Sequence, residues 1–130
     1  MNCGIVSYGT AIPYHRIAVQ DIWDVWKNVT PDIFDKMSFG EKAVIMPNED
    51  AITLGVSAAE LALTRAGIDR KQIGALFFGS CTNPYATKAS ATVIQDALML
   101  RPNLVSFDLQ FGGKSGTSAL ITAAAYVEAG

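Results

Sequence analysis

The chain has 130 residues, of which 50% are hydrophobic and 17% are charged, and its formal net charge at pH 7 is −2. Globular proteins average about 25% charged residues, so this sequence offers little polar surface. The absence of a lysine or arginine stripe argues against nucleic-acid binding, and the longest apolar runs are too short to span a membrane. We therefore expect a chain that buries part of its apolar surface against another polypeptide.

The two cysteines, Cys3 and Cys81, fit neither a disulfide framework nor the spacing of a zinc site. The first residues also lack the basic start and the long apolar core of a signal peptide. These features predict a protein without a metal ion, in a reducing, cytoplasmic setting. The length predicts one domain over residues 1–130.

The first part of the chain predicts short elements. Residues 3–12 are rich in β-formers, and residues 20–27 carry the apolar pattern of a short helix. Thr30 and Pro31 are the N-cap and first-turn residues of a further helix. Residues 42–46 favour another short strand.

The clearest helix follows, with apolar residues at helical spacing from Ile52 to Ala66 and Gly67 at its end. The continuous apolar run of residues 73–78, bounded by Gly79, is typical of a strand covered on both faces.

The second half continues the alternation of strands and helices. Residues 80–85 predict a loop, residues 88–99 a helix, residues 104–111 a strand and residues 115–129 a final helix. This order indicates an α/β fold with a largely parallel sheet. The final helix is apolar or small all round, which is typical of a core helix. The preceding segments are too few to cover it, so the domain is expected to be incomplete without a second chain or a further half.

The junction between the last strand and the last helix has the pattern of an elbow. Residues 107–117 predict a buried strand, a tight turn of small residues and a helix start. Such a turn can hold a nucleophile against a helix N-terminus, but Gly113 stands at its apex where a Ser, Cys or His is expected. The sequence thus predicts the turn and helix start that would position a nucleophile, but no nucleophilic side chain at the apex. The alternative interpretation is a plain helix-entry glycine.

Four blocks of the sequence carry a family resemblance: residues 4–9 with 12–13, residues 41–42 with 49–67, residues 78–85, and residues 108–117. Together they resemble the N-terminal portion of the thiolase superfamily, in the branch of 3-hydroxy-3-methylglutaryl-CoA synthase and ketoacyl synthase III. Residues 83–85 and 114–120 are most similar to the synthase-like subunits of phloroglucinol acetyltransferase complexes. The resemblance implies layered helices around a mixed, largely parallel sheet.

The resemblance also implies Claisen-type chemistry by a cysteine whose pKa is lowered at the N-terminus of a buried helix. The matching position here is Gly113. The general acid/base glutamate of the synthase branch matches Cys81, and the separation of the two positions agrees with the family. No catalytic residue is therefore expected to be intact. Cys81 is either a relocated nucleophile or redox thiol, or a small buried residue that fills the glutamate's place.

The resemblance places the strand residues Asp108, Leu109, Gln110 and Phe111 at a dimer twofold. It implies a homo- or hetero-oligomer with thiolase-like chains, among them a catalytic thiolase subunit. The substrate class of the family is a coenzyme A thioester, and no cofactor is expected to be bound covalently.

Three functional hypotheses follow. The first is a non-catalytic or supporting subunit of an assembly that transfers an acyl group from a thioester to carbon. The second is an active acyltransferase that uses Cys81. The third is an inactive fragment of a larger condensing enzyme.

Overall fold

The computed structural model describes residues 3–26, 40–110 and 112–130. The chain divides into two compact units, one formed by Ile12–Glu49 and the other by Met1–Ala11 together with Asp50–Gly130. The expectation of one domain over residues 1–130 stays a prediction.

The smaller unit contains strand β1 (His15–Ala18), helix α1 (Val19–Trp26) and strand β2 (Glu41–Val44). The two strands pair antiparallel, with His15 opposite Val44. Helix α1 confirms the helix predicted for residues 20–27, and β2 confirms the short strand signal that follows. The helix start predicted at Thr30 and Pro31 lies outside the described residues.

The larger unit contains the elements that surround the candidate site. In chain order they are helix α2 (Ala51–Ala66), a 3₁₀ turn (Arg70–Gln72), strand β3 (Ala75–Gly79), helix α3 (Ser90–Ala97), strand β4 (Val105–Leu109) and helix α4 (Ser115–Ala129). β3 and β4 pair in parallel, from Ala75 opposite Val105 to Gly79 opposite Leu109. The three helices and two strands predicted for this unit are confirmed, and the parallel pairing agrees with the predicted α/β class.

Local chemistry sets both ends of α2. The carboxylate of Asp50 accepts a hydrogen bond from the Thr53 N–H, and the Thr53 hydroxyl accepts one from the Asp50 N–H, each at 2.8 Å. This capping box satisfies two backbone donors at the helix start. Gly67 ends the helix in the left-handed conformation, with φ of 64°, and its N–H donates to the Leu63 carbonyl.

The core lies where α2 and α3 pack against the parallel strand pair. Its buried side chains are Ile52, Ile94, Leu98, Leu100 and Leu104. Removal of this apolar surface from water is the main favourable contribution to the stability of the unit. On the other side of the strands, the ring of Phe77 packs against Phe107 and Tyr126 at centroid distances of 4.8 and 4.9 Å, which attaches α4 to the sheet.

The strand predicted for residues 3–12 is wrong, because residues 3–12 join neither sheet of the described structure. Part of the segment contacts α2 instead. The Ser7 hydroxyl donates to the Ala62 carbonyl at 2.9 Å, and a Cβ added to Gly9 would overlap the Ala58 carbonyl oxygen and lie 2.8 Å from the Ala62 nitrogen. The β-forming residues therefore lie in a segment that makes no ladder hydrogen bonds with either sheet.

Helix α4 matches the predicted range of residues 115–129 but is less covered than a core helix. Leu120, Ile121 and Val127 are 56%, 65% and 65% exposed in the structure described. Neither α4 nor any other helix within the described ranges has the length and apolar character needed to cross a membrane. The expectation that another polypeptide covers α4 stays a prediction.

The start of α4 lies against the end of β3, and Gly79 makes this close approach possible. A Cβ at Gly79 would overlap the Ser115 carbonyl oxygen and lie 2.8 Å from Cα of Gly116. The atoms it would meet are backbone atoms, which no change of rotamer can move away. The position of the α4 N-terminus therefore depends on the missing side chain at Gly79.

We predict that Gly79→Ala lowers the free energy of unfolding by about 3 kcal/mol, because α4 must shift away from the sheet. Gly116→Ala is the matched control, since a Cβ there meets no atom within 4 Å. That control is expected to raise the free energy of unfolding by up to about 1 kcal/mol, because alanine is the better helix former. Urea denaturation of both variants checks the difference, and an equally small effect at Gly79 would contradict the close approach.

Candidate functional site

The two predicted site positions follow the carboxyl ends of neighbouring parallel strands. Gly79 and Leu109 are partners at the ends of β3 and β4, and the Ser80 N–H extends the pairing by donating to the Leu109 carbonyl at 3.1 Å. Loops that leave parallel strands at their carboxyl ends project from the same edge of the sheet. Cys81 lies on the first loop and Gly113 on the second, so the strand pairing places the starts of both loops at one edge.

The structure contains the turn and the helix start of the predicted elbow, but the strand before them is less buried than predicted, with Val105 and Phe107 exposed. Gly112 takes a left-handed conformation with φ of 70°, and Gly113 and Lys114 complete the turn before α4 begins at Ser115. Lys114 is the N-cap residue, and its side chain makes no capping hydrogen bond. Gly113 therefore stands immediately before the N-terminus of a long helix, where backbone N–H groups and the helix dipole favour negative charge.

Neither packing nor backbone conformation requires glycine at position 113. A Cβ built there would meet no atom within 4 Å, and its φ is outside the left-handed region. Gly112 differs, because its positive φ is a conformation that other residues rarely adopt. A side chain would fit at Gly113, which argues against the interpretation of a plain helix-entry glycine. The assignment of this position to a lost nucleophile stays a prediction.

Cys81 is exposed, as is its neighbour Thr82. The Ser80 hydroxyl accepts a hydrogen bond from the Thr82 N–H at 3.1 Å, which turns the chain directly after β3. A buried residue that fills a vacated space would lie inside, so exposure does not favour that interpretation of Cys81. The match of Cys81 to the acid/base position stays a prediction.

Asp108, on β4, is the most highly connected side chain near the predicted positions. One carboxylate oxygen accepts hydrogen bonds from the Ser90 N–H at 2.7 Å and the Asn83 amide at 3.2 Å, with the Gln110 amide at 3.4 Å. The other oxygen accepts from the Ala91 N–H at 2.7 Å. Asp108 thus caps α3 from a neighbouring strand.

Sequence reasoning assigned Asp108 to an interface and missed this internal role. The sequence points elsewhere, because Thr87 stands directly before the helix predicted for residues 88–99 and is an ordinary N-cap residue. In the structure this helix begins two residues later than predicted, at Ser90. Ala89 is the N-cap and offers no side-chain acceptor. The first N–H groups of a buried helix start need an acceptor from elsewhere, and the carboxylate in the next strand supplies it.

The predicted interface residues differ in exposure. Asp108 and Leu109 are half-buried, Gln110 is exposed, and Phe111 lies outside the described residues. Strand β4 pairs with β3, and the described part of the chain provides no strand on its other side. An interface at this edge stays a prediction.

Metal ligands and His15 are the remaining features to place in the structure. Across the residues that the structure describes, no group of three or more His, Cys, Asp or Glu side chains could hold a metal ion. His15 is exposed on β1, where its ring meets the edge of Tyr14 at a centroid distance of 5.7 Å.

Known proteins resemble this chain over nearly its whole length. Hydroxymethylglutaryl-CoA synthase from Methanosphaera stadtmanae is 43% identical over 127 residues, which are 98% of this chain and 37% of the relative. The synthase from Pyrococcus horikoshii is 44% identical over 129 residues, which are 99% of this chain and 35% of the relative. The chain is a homologue of the hydroxymethylglutaryl-CoA synthases. It spans little more than a third of the length of these relatives, and no family model matches it.

Solved structures assign this synthase homologue to the thiolase-like fold. MvaS in complex with 3-hydroxy-3-methylglutaryl coenzyme A superimposes with a TM-score of 0.82 at 26% identity, over 97% of this chain and 30% of MvaS. An OleA variant from Xanthomonas campestris gives 0.84 at 20% identity, over 100% of this chain and 40% of OleA. FabH from Xanthomonas oryzae gives 0.80 at 20% identity, over 92% of this chain and 38% of FabH. The last two show the fold alone.

These findings confirm the resemblance to thiolase-like condensing enzymes and the fold class of the synthase homologue. They leave the finer resemblance to phloroglucinol acetyltransferase subunits as a prediction.

The difference between the two elbow glycines can be measured. We predict that Gly113→Ala changes the free energy of unfolding by less than about 0.5 kcal/mol, because its Cβ enters open space. Gly112→Ala, the matched neighbour, is expected to cost about 1 kcal/mol or more because its φ is positive. Thermal denaturation of both variants checks the order, and a larger loss at Gly113 would restore the helix-entry interpretation.

Proposed function

We propose that this synthase homologue is a supporting subunit of an assembly that transfers an acyl group from a coenzyme A thioester to carbon. In this role it forms no covalent acyl intermediate of its own. The observation that carries the proposal is the elbow at Gly113, which keeps the turn and helix N-terminus while the side-chain position is open.

The chemistry of the two positions supports a non-catalytic role. Glycine has no atom that can form a thioester, so position 113 cannot hold an acyl group during the transfer. Position 81 supplies a thiol and no carboxyl group, so the general acid/base expected of the synthase branch is also missing. The frame around these positions is nevertheless built, through the strand pairing of Gly79 with Leu109 and the hydrogen bonds of Asp108.

The surface of the larger unit supports association with another chain. A groove of about 700 Å³ lies between the edge of β3 and α4, and it is lined by apolar residues that include Leu76, Leu120 and Val127. Exposed apolar surface of this kind marks interaction sites in soluble proteins. We assign the groove, together with the outer edge of β4, to contacts with a thiolase-like chain.

The substrate class follows from the relatives. MvaS was solved with 3-hydroxy-3-methylglutaryl coenzyme A, which supports a coenzyme A thioester as the acyl donor of the assembly. The acceptor is another acyl thioester or an aromatic ring activated by hydroxyl groups.

The covalent step provides the direct test. We predict that incubation of the chain with acetyl-CoA leaves no acyl adduct on either cysteine in intact-mass and peptide mass spectrometry. A hydroxymethylglutaryl-CoA synthase treated in parallel is the positive control. Acyl transfer to Cys81 would form a thioester at its sulfur as the coenzyme A thiolate leaves. An adduct that is absent from Cys81→Ala would therefore contradict the proposal and establish the active-acyltransferase hypothesis.

Association provides the second test. We predict that the chain co-purifies with a thiolase-like chain that retains its cysteine, and that Leu120→Asp weakens the complex by on the order of tenfold by placing a charge in an apolar contact. Met99→Asp is the matched control, since Met99 is 76% exposed and lies outside the groove. Binding is measured by titration calorimetry. A chain that stays monomeric and monodisperse, or an equal loss in both variants, would contradict the assigned surface.

A further inference from the structure

We infer that Asp108 is a positioning residue that holds the loop of residues 80–89 and the elbow of residues 112–114 in a fixed position relative to each other. The inference rests on the proposed function only for the roles assigned to positions 81 and 113. The geometry that carries it is independent of any acyl transfer.

The loop of residues 80–89 is attached to the end of β4 at three points. At its start, the Ser80 N–H donates to the Leu109 carbonyl at 3.1 Å. In its middle, the Asn83 amide donates to Asp108 at 3.2 Å. At its end, the first N–H groups of α3 donate to the same carboxylate, with Ser90 and Ala91 each at 2.7 Å.

The elbow leaves the sheet from the same place. Asp108 and Leu109 are the last residues of β4, and the chain turns at Gly112 within the following few residues. The Gln110 amide, on the way to the turn, also lies within 3.4 Å of the Asp108 carboxylate. Asp108 therefore contacts the loop of residues 80–89 directly and, through Gln110, the end of the strand that leads into the elbow.

The partners of Asp108 explain why a carboxylate suits this position. All four of its partners are N–H donors, so an ionised acid is the side chain that satisfies them together. Ser90 is fully buried, so water has little access to its N–H if the carboxylate is removed. An asparagine has a similar shape but would turn an amide N–H₂ group toward donors.

A simple capping role predicts a different response from a positioning role. Asp50 caps α2 at a half-buried position, and its capping hydrogen bonds are with Thr53 at the start of the same helix. Its loss should loosen α2 alone. Loss of Asp108 should loosen α3, the loop of residues 80–89 and the elbow together.

The experiment uses the full chain with Cys3→Ser and Gly113→Cys, so that spin labels can be attached at positions 81 and 113. The dipolar spectrum of the two labels reports the spread of distances between loop and elbow. We expect Asp108→Asn to broaden this spread, and to raise amide hydrogen exchange at Ser90 and Ala91 by on the order of tenfold. Asp50→Ala is the matched control and should leave the spread unchanged.

A second variant keeps the inference testable if Asp108→Asn does not fold. Asn83→Ala removes the tether in the middle of the loop while it leaves the cap of α3 in place, and it should also broaden the spread. An unchanged spread in Asn83→Ala, or in a folded Asp108→Asn protein whose only response is faster exchange in α3, would overturn the inference. Neither readout depends on acyl adducts or on a partner, so failure here is distinct from failure of the proposed function.

Discussion

The close approach of two backbones at Gly79 sets the geometry on which the rest of the larger unit depends. The end of β3 lies against the first residues of α4 because no Cβ stands between them. Ser115, the first residue of α4, is consequently buried against the strand. Since the elbow of residues 112–114 connects β4 to this fixed helix start, its conformation is constrained from both sides. The position of the helix N-terminus against the sheet edge is thus fixed by this backbone contact.

The glycines of this unit differ in whether the structure requires them. Gly9 and Gly79 are required by packing, because a Cβ at either position would overlap a backbone carbonyl oxygen. Gly112 is required by its positive φ. Gly113 satisfies neither condition, yet it lies between the residue that makes the turn and the helix that the turn serves. A glycine that neither packing nor backbone conformation requires, at the position predicted for a nucleophile, is the physical basis of the proposed supporting role.

Local chemistry explains which parts of the fold the sequence could predict. The capping residues Asp50 and Gly67 directly flank α2, so the helix and its ends could be predicted from neighbouring residues. The apolar runs of β3 and β4 likewise carry their own signal. Residues 3–12 have an equally clear strand composition, but a strand also needs a partner, and their described contacts are with α2. The missing information there was the identity of a distant neighbour.

Contacts between distant segments also limit what the sequence predicts about the candidate site. The position of Gly113 before a helix follows from sequence, because the turn and the helix are adjacent in the chain. The role of Asp108 does not, because its partners at Asn83, Ser90 and Ala91 belong to a different loop and helix. The sequence offers Thr87 as the cap of the predicted helix, and only the structure shows that the helix begins at Ser90 without a capping side chain of its own. A helix start without its own cap needs a hydrogen-bond acceptor from elsewhere in the fold. Here the side chain of Asp108, on the adjoining strand, supplies it. Because the same carboxylate also accepts a hydrogen bond from Asn83, one side chain both caps the helix and ties the preceding loop to the sheet edge, and a pattern of neighbouring residues does not predict such a contact.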